Sequence, residues 1–338
     1  MKVIRIIAAL IALACGPVHA QTPEKADAKV VMDFAFQGLH MFFTRGVDGG
    51  HYKREGLNVT IDRGYGSVDT VTKIAARGYD FGFPDVNTLV KFNSEHPDTR
   101  VISVLQVLDR SLNAVISLKS YGVSKPADLN GKTLAGSEGD AGRLMFPLFA
   151  RSVGIDNSTI KWLSVASNLR EAMVVKKQAQ AMTAFASTAF FNLQAAGVHA
   201  NDIIVFMYAN YGLDLYGNAV VVREDFAAQN PATVAAFVRG TVAGMLDAIK
   251  DPDQGVTSVR KRDPLMNQSL ELDRYKYIAE HAILTANVRK NGLGALDKER
   301  LTRSIAAVAE SFNIKNPPTP DQIATDRFLP PRDKRMPQ

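Results

Sequence analysis

Glycine recurs every third residue in Gly136-Ser137-Glu138-Gly139-Asp140-Ala141-Gly142, and Arg143 follows directly. Such a loop bares backbone N–H groups and Ser137 adds a hydroxyl, so the segment suits a small anion at a helix N-terminus. It lacks the Gly-Lys-Ser/Thr ending of a P-loop and the Gly-x-Gly-x-x-Gly spacing of a dinucleotide site. Nucleotide chemistry is set aside on that mismatch. The planar fork of Arg143 suits a carboxylate on the same ligand, and an exposed helical arginine is the plainer reading of it.

A second set is aromatic. Phe185 ends an apolar run that leads into Phe190-Phe191, and Tyr208-Ala209-Asn210-Tyr211-Gly212 is followed by Tyr216-Gly217-Asn218. Tyr211 and Tyr216 beside glycines can stack on a planar solute while Asn218 meets its polar edge. Phe190 and Phe191 read as packing. Three further turns pair a polar side chain with the start of a helix: Phe36-Gln37-Gly38, Tyr65-Gly66-Ser67 and Pro84-Asp85-Val86-Asn87. The expected ligand-binding set is therefore Phe36, Ser67, Asp85, Ser137, Arg143, Phe185, Tyr211, Tyr216 and Asn218.

Catalytic chemistry finds less support. His40, His51, His96, His199 and His281 show no His-x-x-x-His or His-x-His spacing for a metal. There is no Gly-x-Ser-x-Gly elbow. Asp80/Asp85 and Glu138/Asp140 offer paired carboxylates, but neighbouring carboxylates are common on surfaces. No catalytic residue, metal or cofactor is expected.

The start of the chain bears on compartment. Lys2 and Arg5 precede an apolar run from Ile6 to Ala14, and Val18-His19-Ala20 offers a cleavage site before Gln21. This reads as a signal peptide over residues 1–20, because a bilayer span takes about 20 apolar residues. Cys15, the one cysteine, lies inside it. Lipid attachment there is the alternative, although Ala12-Leu13-Ala14 departs from a leucine-first lipobox. The mature chain would then hold no thiol nucleophile, disulfide or cysteine metal cluster. Losing Lys2 and Arg5 lowers the formal charge from +6 to +4. The remaining basic residues are scattered, so nucleic acid is not an expected partner.

The elements that must position these residues alternate in type. Val30–Phe36, Leu57–Ile61 and Tyr79–Phe83 read as strands. A helix capped by Ser67 separates the last two, and another begins near Asp85. Lys132–Ala135, Ile160–Val165, Ala181–Phe185 and Ile203–Met207 repeat the style. Two α/β units with mostly parallel sheets follow, without a sequence repeat between them. Asn113–Leu118 and Asn218–Val222 are read as crossover strands between a lobe of residues 29–112 plus 222–315 and a second of 113–221. Asn230 before Pro231 opens a long helix. Residues 316–338, rich in proline, read as an extended or loosely docked tail.

Several phrases together resemble a known family. Gly50-His51-Tyr52-Lys53-Arg54-Glu55-Gly56-Leu57-Asn58-Val59 fits a Gly-x-Phe/Tyr-x-x-Glu-Gly-Leu-x-Val pattern. Ala75-Ala76-Arg77-Gly78-Tyr79-Asp80-Phe81-Gly82 fits the next phrase, and Lys125 to Thr133 a Pro-x-Asp-Leu-x-Gly-Lys phrase. The chain thereby resembles the nitrate/sulfonate/taurine and thiamine-pyrimidine-precursor binding proteins of ABC importers. The resemblance implies a type II periplasmic-binding fold that closes on a small polar, anionic or aromatic solute. It also implies a periplasmic monomer that delivers to an ABC permease with its ATPase. A eukaryotic relative of the fold is an enzyme that uses its own histidine and a cysteine-rich segment, which this chain lacks. A periplasmic enzyme on the same fold and a sensory binding module remain the alternatives.

Overall fold

Strand β1 (Asp27–Met32) is followed by β2 (Asn58–Asp62), β3 (Phe81–Phe83) and β4 (Val101–Gln106) in a computed structural model that describes residues 22–337. The signal peptide and Cys15 lie outside the described residues. Next come β5 (Asn113–Leu118), β6 (Thr133–Gly136), β7 (Lys161–Ser164), β8 (Ala181–Phe185) and β9 (Ile203–Met207), and β10 (Ala219–Arg223) is last. They form two five-stranded sheets, ordered β2-β1-β3-β10-β4 and β7-β6-β8-β5-β9. Each sheet has a parallel trio, then an antiparallel strand that has arrived from the other sheet. The two lobes thus share one topology.

Burial on both faces explains the sequence of these strands. Val30, Val31 and Met32 are fully buried, because helices cover both sides of the sheet. In the first lobe the helix Pro231–Lys250 packs Phe237 flat on Phe81, ring centroids 3.7 Å apart. This helix is long and apolar enough to cross a membrane, but it is mostly buried inside the lobe. Asn230, expected to cap it, instead donates its side chain to the Phe226 carbonyl.

The chain changes sheets one step earlier than expected. β5 and β10 are full sheet members, and the crossings are the segments 107–112 and 208–218 that precede them. Residues 219–221 therefore sit in the first sheet, paired with β4 and β3. The tail is also firmer than its proline content suggests. The Ser103 amide donates to the Ile323 carbonyl at 2.8 Å and the Thr325 amide to the Ser103 carbonyl at 2.9 Å. Ile323 and Phe328 are buried, so the tail covers the free edge of β4.

Candidate functional site

Five strand ends point at the seam between the lobes. β1 ends at Met32 and releases Asp33 and Phe34, and β2 leads to Gly66 and Ser67 at the start of helix Ser67–Ala75. From the other lobe, β6 leads to Asp140 ahead of helix Ala141–Ser152, and β7 to Ser167 and Arg170. β8 ends on Phe185, and Thr188 lies one turn into the next helix. Together they line a cavity of about 20 Å3. A single water needs about 10 to 15 Å3 by this measure, so a solute enters only as the lobes part or side chains give.

The polar groups are held from behind. Asp33 accepts from His40 Nε2 at 3.0 Å and from Asn218 Nδ2 at 2.9 Å. The His40 Nδ1 accepts the Gln37 amide at 3.2 Å, which fixes the ring as the neutral Nε2–H tautomer. Across the seam, Arg170 pairs with Asp140 and donates from Nε to the Ser167 carbonyl and from Nη1 to the Thr183 carbonyl, each at 2.9 Å. Burial lowers the pKa of this arginine from its usual value, and the neighbouring Glu171 charge opposes that pull. The guanidinium lies 5.9 Å from the Phe34 ring of the first lobe. Ser167 Oγ is buried without a hydrogen-bond partner among the described residues, and Ser67 Oγ accepts the Asp85 amide at 3.1 Å.

Beneath the cavity a polar seam joins the lobes. Asp85 accepts from the Asn87 backbone and side chain at 2.9 and 2.7 Å, and from Asn113 Nδ2 of the second lobe at 2.8 Å. Burial pushes its carboxyl up to about 6; these donors pull it down and the nearby Asp33 charge pushes it up again. A raised carboxyl pKa means the folded state binds the proton more tightly than the unfolded chain. Its contribution is therefore most favourable below about pH 4 and is lost as pH rises to about 6, by about 3 kcal/mol. Urea unfolding of wild type and Asp85→Asn between pH 4 and 7 should show their stability difference changing in that window. A difference flat with pH would show that Asp85 titrates as an ordinary carboxylate.

The crossings are tied to one another. Gln106 Nε2 donates to the carbonyls of Leu108 and Gly217, at 2.8 and 3.1 Å. Arg300 Nη2 donates to the Leu215 carbonyl at 3.2 Å, and its Nη1 meets Asp109 at 3.4 Å. Relative motion of the lobes must pivot around these bonds.

Of the residues expected at the site, Ser67 and Phe185 face the cavity. Asp85 and Asn218 stand behind it, holding Ser67, Asn113 and Asp33. Phe36 is half-buried against the edge of His40. The others do not line this cavity. Ser137 is not a cavity residue, and its carbonyl accepts the Asp140 amide. Arg143 points away from this cavity, 4.7 Å over the Trp162 ring with its Nη1 bonded to the Gly136 carbonyl and Ser164 Oγ, because Gly142 before it packs against β8 and turns the next position away. Within the glycine loop the Gly142 amide donates to Asp140 Oδ1 at 3.2 Å. Tyr211 packs on Phe149 and Phe206. Tyr216 is fully buried; its hydroxyl accepts the Asp297 amide and its ring lies under Arg300.

Asp33, Phe34, Asp140, Ser167, Arg170 and Thr188 escaped the reading of the sequence. Their common signal is position within a few residues of a strand's carboxyl end, where open α/β sheets place ligands. Among the described residues no three histidine, aspartate or glutamate side chains gather as a metal site needs.

Residues 37–255 match the family described as NMT1/THI5 like. This chain belongs to that family. Among curated proteins it is similar to a formylaminopyrimidine-binding protein of Halalkalibacterium halodurans, 22% identical over 75% of this chain and 77% of the other. It is also similar to a 4-amino-5-hydroxymethyl-2-methylpyrimidine phosphate synthase of Schizosaccharomyces pombe, 23% identical over 61% of this chain and 60% of that one. Among solved structures, an alkanesulfonate-binding protein of Xanthomonas axonopodis superposes with a TM-score of 0.69 at 12% identity, over 89% of this chain and 99% of that chain. That last likeness shows the fold: two lobes of the periplasmic-binding type.

Proposed function

We propose that this NMT1/THI5-like protein is the solute-binding component of an ABC importer, exported to the periplasm, that traps a small polar or aromatic solute between its lobes. One observation carries the reading: Asp33, Phe34 and Ser67 of one lobe meet Ser167, Arg170 and Phe185 of the other around a single cavity. A site split in this way is complete only when the lobes close, so binding and closure are coupled. The formylaminopyrimidine-binding relative supports the same reading.

The site residues we assign are Asp33, Phe34, Ser67, Ser167, Arg170, Phe185 and Thr188. Binding without turnover is supported by the hydrogen bonds present: neither cavity serine bonds a histidine among the described residues, and both nitrogens of His40 are engaged. The closed form would present a continuous two-lobed face to a permease.

The test is unfolding of the purified mature protein against a panel of sulfonates, aromatic acids, pyrimidines, flavins and amines. A true solute at a hundred times its dissociation constant should add about 2.7 kcal/mol of stability and remain chemically unchanged. A panel in which nothing stabilises the protein, or in which a solute is consumed, overturns the proposal.

A further inference from the structure

We infer that the solute presents a cationic or amidine-type nitrogen edge to Asp33, and that the cleft discriminates against anions; this rests on the solute-binding reading above. Asp33 is 3% exposed and lines the cavity. Each of its oxygens holds one neutral donor, from His40 and from Asn218. His40 is neutral in this arrangement because its Nδ1 accepts an amide proton. Among the described residues, no lysine or arginine pairs with Asp33. A buried carboxylate without a cation is costly, and this one lines the space a solute must fill.

The one guanidinium at the cavity does not supply the missing charge. Arg170 is committed to Asp140, with Nε and Nη1 also bonded to carbonyls. Two carboxylates thus line the cavity against one cation, and Asp85 lies just behind them. Helix N-termini pull the other way, at about half a charge each. One amide at each of three of these termini is already spent within the protein, however. The Val68 amide goes to the Gly139 carbonyl, the Gly142 amide to Asp140, and the Ala186 amide to the Leu112 carbonyl.

An anion entering here would meet Asp33 unpaired. A protonated ring nitrogen beside an exocyclic amine would instead give one carboxylate two parallel charge-assisted donors. Phe34, next in the chain, and Phe185, from the other lobe, add apolar walls that suit a flat ring.

Matched pairs of probes test the sign directly. Calorimetric titration of the wild-type protein with benzamidinium against benzoate, and with 2,4-diaminopyrimidine against orotate, should favour the first member of a pair by at least about tenfold. Asp33→Asn, checked for folding by its melting curve, should weaken benzamidinium by about 30-fold or more, the loss that follows removal of one partner of a buried charge pair. If that variant does not fold, the wild-type pairs alone decide. Preference for the anion, or a folded Asp33→Asn that binds benzamidinium like wild type, overturns the inference. So does a cleft that takes only anions from the wider panel, and that result leaves the solute-binding reading standing. If no solute of any kind binds, the solute-binding reading itself falls.

Discussion

Asp140→Asn is expected to destabilise the protein by about 3 to 5 kcal/mol, measured by urea unfolding near neutral pH. Asp140 and Arg170 are 8% and 3% exposed, so the arginine cannot turn to bulk water when its partner loses charge. The substitution is chosen to separate two roles. Asp140 also caps helix Ala141–Ser152 through the Gly142 amide, and asparagine caps as well as aspartate does. The cap survives, and the loss reports the stranded guanidinium. Adding Arg170→Met to Asp140→Asn should recover much of the stability, because replacing a buried pair with apolar volume costs far less than breaking it. A loss below about 1 kcal/mol for the single variant would mean that Arg170 finds another anion or water, and that the pair does not organise the second lobe's half of the cleft.

How much of this was legible in the sequence depended on one residue at a time. β5, β8 and β9 run over the expected residues, because each is an apolar run bounded by polar or turn residues. β4 went unread: Val101-Ile102-Ser103-Val104-Leu105-Gln106 is buried on both faces, so it lacks the alternation that marks a strand. The first strand was read four residues too far, to Phe36. That error mattered, since a strand through Phe36 hides Asp33 and Phe34 inside the sheet, while one that ends at Met32 places them at the cleft. Ser67, in the turn after β2, lines the cavity, and its hydroxyl serves the Asp85 amide rather than its own helix. Tyr211 and Tyr216, expected at the site, pack against protein neighbours. Tyrosines beside glycines look alike whether they face a ligand or protein neighbours; here Tyr211 packs on Phe149 and Phe206, and Tyr216 on the start of helix Lys298–Ser311. The Asp140–Arg170 pair spans 30 positions, a separation that no local pattern encodes.

The closeness of the lobes makes a sharper demand on Gly66. Its φ of +133° with ψ of 155° lies in a region open essentially to glycine alone, and a Cβ there would stand 2.2 Å from the Gly139 carbonyl oxygen of the other lobe. The obstacle is backbone, so no side chain can rotate away; the lobes must separate instead. Gly66→Ala is therefore expected to depopulate the closed form and weaken solute binding by about 100-fold, since apparent affinity scales with the fraction of protein able to close. The backbone strain adds a stability loss of about 1 to 3 kcal/mol whether the lobes are open or closed. Gly122→Ala separates the two effects. Gly122 also has positive φ, at +66°, but nothing lies within 4 Å of its added Cβ, so this variant should lose about 1 to 2 kcal/mol of stability and keep its affinity. Titration of each variant with a solute found by the panel, alongside the radius of gyration by solution scattering, distinguishes the outcomes. Should Gly66→Ala fold and bind as tightly as wild type, the Gly66–Gly139 contact is not part of the form that holds the solute, and closure must bring the lobes together along some other line.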